Sequence, residues 1–332
     1  MKALRRGVSL PEARSLLLLG IVWFVFALSV GDWFSTSTFQ TLLGRAVVIG
    51  LLGAGFTVCL LSGRIDLSVG ANFALTGVVF ASLQPHVGLV AAIVAAIAAG
   101  AAIGSLNGAL VAGFGVDSFI ASLGTLLLAR GLAFVISSGE PVNATALTAS
   151  LEFSKGLIGP VSWRIIVFFV VVGILHLMIT RTRVGREIVA TGGDEVAARA
   201  NGVPTRARIG LAFVLSGTTA GVAGVCSALA LLSGSPIVGD QELLGAVAAV
   251  FLGGAALTGG RGSVLATALA AVALTSLTTG MELIDVEIAW QAVVIGATVL
   301  IASSPALRDA ARRVSRRMGA SAGRATGAVA DG

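Results

Sequence analysis

VGLVAAIVAAIAAGAAIGSLNGALVAG, residues 87–113, is the stretch of sequence that decides the fold class. It carries no charged residue and exceeds the roughly 20 mostly apolar residues that a helix needs to span a membrane. Its apolar residues follow one another without the alternation of the ~10-residue strands of a membrane β-barrel. Gly100, Gly104 and Gly108 recur at every fourth position, a spacing that lets helices pack closely in lipid. The stretch therefore predicts a membrane-spanning helix inside a bundle.

Apolar runs of this kind recur along the whole chain. They are rich in Ala, Leu and Gly, and most of the charged residues lie at their edges. We place them at about 15–34, 41–62, 67–84, 87–113, 118–138, 163–180, 207–233, 243–259, 262–281 and 286–302. The third and eighth runs give the weakest signal. Because only helices and closed barrels satisfy the backbone in lipid, the sequence predicts an all-α, polytopic membrane bundle of about 10 transmembrane helices.

The composition agrees with this class and excludes several others. Hydrophobic residues make up 56% of the 332 residues and charged residues only 11%, whereas soluble domains carry about 25% charged residues. A soluble enzyme and a disordered chain are therefore excluded. Cys59 and Cys226 both lie in apolar runs, which argues against a disulfide scaffold. With two cysteines and two histidines in the chain, we expect no metal site.

The net charge of +6 comes from basic residues that flank the apolar runs. They do not interleave with aromatic residues in one patch, so a nucleic-acid interface is not indicated. Basic flanks instead mark the cytoplasmic side of membrane proteins. We therefore expect a cytoplasmic N-terminal segment at 1–14, a single transmembrane domain at 15–305 with its largest cytoplasmic loop at 181–206, and a basic cytoplasmic tail at 306–332.

The segment LSGRIDLSVGANFALTG, residues 61–77, places polar groups between two apolar runs. Asp66 and Asn72 fall at or near membrane depth, where a charged side chain costs about 2.5–3.5 kcal/mol or more. Ser68 and Gly70 permit a broken helix, whose freed backbone groups must be satisfied by protein or water. One interpretation is a kink that lines a pathway or forms a gate. The alternative is an interfacial loop in which Asp66 caps the next helix.

Further polar residues lie within or near the apolar runs. Asn107 and Thr125 are candidates for the same pathway, although each could instead make a hydrogen bond between helices. Arg130 is expected to pair with an acid or to extend toward the outer face. His86 and His176 have no partners at ligand spacing, so a ligand role is not indicated.

Each half of the chain contains a Gly-broken apolar segment that follows a polar break. These segments are 62–70 and 233–239, and they match only weakly in sequence. Such a pair suits two related halves around a central pathway.

The segment TRVGREIVATGGDEVAARANGVPTRAR, residues 182–208, forms most of the largest predicted cytoplasmic loop. Asp194 suits a helix N-cap, Gly202 suits the position after a helix, and Pro204 stops its continuation. These residues predict a short helix at about 195–201. Its small apolar face would consist of Val196, Ala197 and Ala200, which suits docking to a partner. A solvated basic loop is the alternative.

Two of these segments resemble one known family. GRIDLSVG, residues 63–70, resembles the GGIDLSVG signature of bacterial ABC-transporter permeases for monosaccharides of the ribose, xylose and galactose type. GREIVATGGDEVAARANGVP, residues 185–204, resembles the cytoplasmic loop of that family, including the E-x-A-A-x-x-x-G pattern by which permeases engage their ATPase. The stretches 107–132 and 243–271 are similar as well. Arg64 departs from the family, which usually has Gly at this position.

The resemblance implies a homodimer in the bacterial inner membrane. It also implies two cytoplasmic ATP-binding subunits or one fused pair, and an extracytoplasmic sugar-binding protein, for which Gln291 and Glu282 are candidate contacts. ATP and Mg would bind to the partner ATPase, with no cofactor in this chain. The residues implied in coupling to the ATPase are Gly185, Arg186, Gly192, Gly193, Asp194, Glu195, Ala197, Ala198, Arg199 and Gly202. The implied pathway or gate consists of Asp66, Ser68, Gly70, Asn72, Asn107 and Thr125.

Independently of the resemblance, the positions of the lysines indicate that ATP is hydrolysed by a separate subunit. Lys2 and Lys155 are the only lysines in the sequence, and neither follows a Gly-rich phosphate loop. The expected function is therefore a permease subunit that is not itself an enzyme and that carries a monosaccharide. A nucleoside, a polyol or another small neutral solute is the alternative cargo. An ion-coupled secondary transporter would need paired intramembrane acids, and an intramembrane enzyme would need a nucleophile with a base.

Overall fold

The computed structural model describes residues 10–154, 156–158 and 161–303. Its helices are α1 (Leu10–Ser29), α2 (Thr36–Leu61), α3 (Val69–Val87), α4 (Leu89–Gly108, continued by a π-helical turn over Ala109–Gly113), α5 (Ser118–Ser137), α6 (Leu147–Ser154), α7 (Trp163–Arg181), α8 (Arg183–Gly193), α9 (Glu195–Ala200), α10 (Thr205–Leu231), α11 (Asp240–Leu252), α12 (Val264–Leu283) and α13 (Ile288–Ser303). The expected tail at 306–332 and residues 1–9 of the expected N-terminal segment lie outside the described residues.

Short strands complete the secondary structure of the described residues. They are β1 (Val142–Asn143), β2 (Gly156–Ile158), β3 (Val161–Ser162) and β4 (Ser233–Gly234). β1 pairs with β4 and β2 pairs with β3, both antiparallel. Helices α1 to α12 belong to one compact unit that ends at Val286, and α13 belongs to a second unit that begins at Glu287.

Each of the ten predicted apolar runs contains a helix. Within the described residues, seven helices are long and apolar enough to cross a membrane, namely α1, α2, α4 with its π-helical turn, α5, α7, α10 and α12. The other three are α3, which contains Asn72, Gln84 and His86, and the shorter α11 and α13. The prediction of an all-α, multi-pass membrane bundle is confirmed, and the count of about 10 crossings stays a prediction.

Helix α10 packs against α2, α3 and α4 in the interior of the first unit. Glycines make the contact with α4 possible, because a Cβ added at Gly100 would lie 2.6 Å from the Gly217 carbonyl oxygen. A Cβ added at Gly217 would lie 2.9 Å from Gly104 Cα. The backbones therefore approach as closely as the spacing of small residues predicts, and the gain is van der Waals contact.

The chain is broken in two comparable places. The first break, residues 62–68, connects α2 to α3, and the second break, residues 232–239, connects α10 to α11. The second break runs beside α3, since a Cβ added at Gly234 would lie 2.5 Å from the Gly77 carbonyl carbon, and one at Gly239 would lie 2.8 Å from that of Gly70. The second break therefore lies alongside α3 before α11 begins, and α11 has 13 residues.

Candidate coupling and translocation sites

Helix α9 forms where the sequence predicts a short helix. The Asp194 side chain accepts a hydrogen bond from the Ala197 N–H at 2.9 Å, as an N-cap does. The helix runs over Glu195–Ala200, and Gly202 follows it with a φ of +79°. That backbone conformation favours glycine, and Pro204 then prevents a further turn. The predicted helix and its caps are confirmed, with the end shifted by one residue.

The outer surface of α9 is free to meet a partner. Val196 is 80% exposed, and Ala197 and Ala200 are exposed as well. Ala198, another residue that the family resemblance implies in coupling, instead faces inward and is buried. An exposed apolar side chain on a rigid, capped helix is suited to a partner's pocket.

Glu195 joins α9 to the first break. Its carboxylate accepts from Arg64 Nη2 at 2.5 Å and from Arg199 Nη2 at 2.7 Å. The pairing with Arg64 was not expected, because residues 131 positions apart carry no signal of contact in one sequence. Arg64 thus lies at the end of the molecule that carries the predicted coupling loop.

Helix α8 is fixed by a carboxylate that the sequence did not single out. Glu187 accepts from Arg183 Nε at 2.7 Å and from Arg208 Nε at 2.6 Å. The hydrogen bonds from Arg183 and then Arg208 hold the pKa of the Glu187 carboxyl below its usual range. Nearby, Gly185 packs on the backbone of Ile179, and Arg186 donates to the Arg181 carbonyl at 3.3 Å. Gly185 therefore serves a close turn, while the Arg186 side chain is exposed.

Gly192 packs between two loops that belong to different parts of the chain. A Cβ added there would lie 2.6 Å from the Gly63 nitrogen and 2.8 Å from the Gly260 nitrogen. A Cβ at Gly259 would lie 2.6 Å from Gly63 Cα. We call Gly63, Gly192, Gly259 and Gly260 the glycine junction. Gly193 differs, because a Cβ added there would have no described heavy atom within 4 Å.

Four of the six predicted pathway residues form one buried chain of hydrogen bonds, which we call the polar chain. The Ser68 N–H and Oγ donate to Asp66 Oδ1 at 3.1 and 2.5 Å, and Asn107 Nδ2 donates to it at 3.3 Å. Thr125 Oγ1 donates to Asn107 Oδ1 at 2.7 Å. All four side chains are at most 3% exposed. Asp66 accepts from the Ser68 N–H but does not cap α3, because Ser68 itself occupies the N-cap and makes no side-chain cap bond. The bond between α4 and α5 is present, so a route past this chain would require the helices to separate.

The other two predicted pathway residues lie outside the polar chain. Asn72 Nδ2 donates to the Gly100 carbonyl at 3.1 Å and so ties α3 to α4. Gly70 lies against Gly239 of the second break, and a Cβ added at Gly70 would lie 2.8 Å from Leu243 Cβ. The first turn of α3, which follows the first break, therefore touches the second break.

Arg130 holds the second break. Its Nη1 donates to the carbonyl oxygens of Pro236 at 3.0 Å and Val238 at 2.8 Å, and its Nη2 pairs with Asp240. The expectation that Arg130 pairs with an acid is confirmed. The sequence did not indicate that this arginine also satisfies backbone carbonyls of the break.

A cavity of about 440 Å³ opens beside α9 at the coupling end of the first unit. Basic side chains dominate its charged lining, which consists of Arg64, Arg199, Arg206, Glu195 and Asp117. At the opposite end, Glu282 accepts from Arg45 at 2.6 Å. Among the described residues, one end of the first unit is therefore rich in arginine and carries α8 and α9, and the opposite end holds Glu282.

Sequence comparisons match most of this chain to known permeases. The family described as branched-chain amino acid transport system / permease component matches residues 38–303. The ribose import permease protein RbsC of Escherichia coli (strain K12) is 35% identical over 302 residues, which cover 88% of this chain and 92% of the relative. RbsC of Bacillus subtilis (strain 168) is 36% identical, covering 79% and 82% of the two chains.

A third relative carries a different name. The D-allose transport system permease protein AlsC of Escherichia coli (strain K12) is 32% identical over 290 residues, which cover 86% of this chain and 88% of the relative. The family match covers well over half of the chain, and each of these relatives aligns with most of it. The chain belongs to the branched-chain amino acid transport system / permease component family and is a multi-pass membrane permease.

Proposed function

We propose that this chain is the permease subunit of an ABC importer that moves a monosaccharide across the bacterial inner membrane. A separate ATPase subunit would supply the energy. The observation that carries the proposal is the exposed, capped helix α9, which follows closely after Gly192 of the glycine junction, in a chain whose relatives are named as ribose and D-allose permeases.

In the membrane, the end with α8 and α9 faces the cytoplasm. The arginine-rich lining of the cavity beside α9 supports this orientation, because basic residues concentrate on the cytoplasmic side. With ten crossings, both termini lie in the cytoplasm and the transmembrane domain covers 15–305. Helices α3 and α11 count as membrane crossings only if residues of the two breaks supply the rest of the distance across the bilayer.

Energy reaches the pathway through backbone contacts. The ATPase binds α9 at Val196 and displaces it, and Gly192 transmits the movement directly to Gly63 and Gly260. The first of these glycines belongs to the first break, and the second belongs to the loop after α11. Because no side chains separate the backbones, little of the movement is lost in rotamer changes. Alternating access follows when the start of α3 and the second break, in contact at Gly70 and Gly239, move apart.

The complete importer contains two copies of this chain, the ATPase and an extracytoplasmic sugar-binding protein. The ATPase binds ATP and Mg, and this chain holds no cofactor. The binding protein supplies most of the affinity for the sugar, so the pathway itself need only be weakly polar. Membrane lipid surrounds the outer faces, where α1, α5 and α7 expose many large apolar side chains.

A neutral cargo fits the buried polar groups. Those that are described in the bundle interior are mostly hydroxyls and amides, as at Thr57, Asn72, Thr76 and Ser216. Such groups suit a sugar, a polyol or a nucleoside better than a charged solute. An ion-coupled secondary transporter is the less favoured alternative, because it requires acids in pairs within the membrane, and Asp66 is joined to neutral partners.

Uptake by a deletion strain and its complemented counterpart tests the proposal. The panel contains labelled ribose, allose, xylose and galactose, together with a nucleoside, a polyol and leucine. We expect complementation to restore uptake of a monosaccharide, and only while the ATPase gene is intact. Restoration of leucine uptake alone, or uptake that persists without the ATPase, would contradict the assignment.

A further inference from the structure

The cavity beside α9 contains more cationic groups than the carboxylates around it neutralise. We call it the arginine cavity, and its lining consists of residues 111–117, Arg64, Glu195, Arg199, Arg206 and Ile209. Arg64 and Arg199 share a single carboxylate, because both donate to Glu195. No hydrogen bond or ion pair joins the Arg206 side chain to another described residue. The lining therefore includes a guanidinium group without a counter-charge.

The other carboxylate of the lining has a structural role. Asp117 Oδ1 accepts from the backbone N–H groups of Phe119 at 2.9 Å and Ile120 at 3.3 Å, as the N-cap of α5. The partial positive charge of that helix end offsets the charge of the carboxylate. Arg206, by contrast, lies in the first turn of α10, where the same partial charge opposes a cation. The stability of α10 therefore gives no reason for an arginine at this position.

Large apolar side chains are exposed close to the arginine cavity. Phe114 belongs to its lining and is 82% exposed, and Val196 of α9 is 80% exposed. Arginine and aromatic residues are enriched at protein interfaces, where a few of them contribute most of the affinity. Helix α9 also supplies Glu195 and Arg199 to the lining. A partner that covers α9 is thus within reach of the cavity.

We propose that the arginine cavity receives a carboxylate side chain of the ATPase subunit, with Arg206 as its main partner. The inference rests on the proposed function, which places the ATPase on α9. A carboxylate accepts two parallel hydrogen bonds from a guanidinium group and supplies the charge that the lining lacks. The docking surface then has two parts: Val196 enters the ATPase, and an acid of the ATPase enters the permease. Such charge pairs across an interface fix its register.

The affinity of the purified permease for its ATPase, measured at several salt concentrations, tests the role of Arg206. Arg206→Gln should weaken binding at least about tenfold and reduce its salt dependence, because a close charge pair is lost. Arg206→Lys should retain part of the affinity, since it keeps the charge but not the paired hydrogen bonds. Arg181→Gln is the matched control. Arg181 ends α7, is exposed and does not line the cavity, so the affinity should stay within about twofold of the wild type.

The possible failures of this experiment have different meanings. Equal losses in Arg206→Gln and Arg181→Gln would overturn the inference, because they would indicate a diffuse attraction between a basic surface and the ATPase. An unchanged affinity in Arg206→Gln would overturn it as well, and loss of binding in Val196→Glu would then show that the proposed function still holds. A wild-type permease that does not bind the ATPase would contradict the proposed function itself.

A charge reversal identifies the acid on the ATPase. In the Arg206→Glu background, each Asp and Glu on the ATPase surface is replaced in turn by Lys. At least one replacement should restore the affinity to within about threefold of the wild type, because opposite charges meet again. If none restores it, the inference is wrong.

Titration of the isolated permease with inorganic phosphate separates the ATPase from a free anion as the occupant. We expect no phosphate binding that depends on Arg206. Phosphate binding that Arg206→Gln abolishes, together with an unchanged affinity of that variant for the ATPase, would assign the arginine cavity to a free anion and overturn the inference.

Discussion

The two breaks interrupt the helices in a similar way, but their polar groups are satisfied by different kinds of side chain. Both begin with Leu-Leu-Ser-Gly, at 60–63 and 231–234, and both lead into Val-Gly, at 69–70 and 238–239. The first break uses its own side chain, Asp66, which is fully buried among neutral donors. The second break exposes carbonyl groups that an arginine from another helix satisfies.

This difference follows from where each break lies. Asp66 has no exposed surface, so a guanidinium there would bring a desolvated charge into the bundle. Arg130 remains 17% exposed in its side chain, and its partner Asp240 is 75% exposed, so water can still screen the pair. A break in a membrane protein can therefore be satisfied by a charged donor near its rim and by uncharged donors in its interior.

The contact between α3, which follows the first break, and the second break gives the largest expected effect. Gly70→Ala would place a Cβ 2.8 Å from Leu243 Cβ and against the Gly239 carbonyl. We expect a loss of about 1–3 kcal/mol in the free energy of unfolding, as for an overpacked core. Thermal unfolding of the purified protein in detergent measures it. Gly124→Ala on α5, where an added Cβ has no described heavy atom within 4 Å, is the control and should change stability by at most about 0.5 kcal/mol.

The glycine junction tests whether movement of α8 passes to the first break and to the loop after α11. Gly192→Ala inserts a methyl group against Gly63 and Gly260. We expect uptake to fall about tenfold or more relative to ATP hydrolysis in the assembled importer, because overpacking by about 1–3 kcal/mol shifts the junction. Gly193→Ala meets open space and should retain normal coupling. Equal behaviour of the two variants would disprove transmission through the junction.

Substitution of Arg130 tests whether the stability of the second break depends on a charged donor. Arg130→Ala leaves the Pro236 and Val238 carbonyls without their donor, so unfolding should become easier by about 1–3 kcal/mol. The comparison is Arg45→Ala, which removes an ion pair with Glu282 whose side chains are 45% and 40% exposed. That pair should contribute at most about 1 kcal/mol. A smaller effect at Arg130 than at Arg45 would remove the contrast between the breaks.

The smallest effect concerns Glu187, which fixes the helix that leads into the junction. Because its pKa is lowered in the folded state by Arg183 and Arg208, its contribution to stability is present above its unfolded pKa of about 4.3. The contribution disappears as the pH falls through the folded pKa. The free energy of unfolding of the wild type should therefore exceed that of Glu187→Gln at neutral pH. Unfolding measured at acidic pH should give a smaller difference between the two.

Local chemistry in the sequence was enough to predict several parts of the site. The short helix α9 could be predicted because Asp194, Gly202 and Pro204 act within one or two turns of the chain. The hydrogen bond from the Ser68 N–H to Asp66 is local in the same sense, although it does not cap α3. The pairing of Glu195 with Arg64 and that of Arg130 with Asp240 could not be predicted, because the partners are 131 and 110 residues apart and one sequence contains no measure of proximity.

Hydropathy and short-range chemistry determined that this chain is a helical, multi-pass membrane protein, since burial in lipid depends on composition along each helix. Only the tertiary structure decided that Gly70 meets Gly239 and that Gly192 joins two distant loops. Glycine has no side chain whose chemistry would indicate a contact partner. Its role in a contact is therefore recognised only in the structure, where another backbone lies close to it.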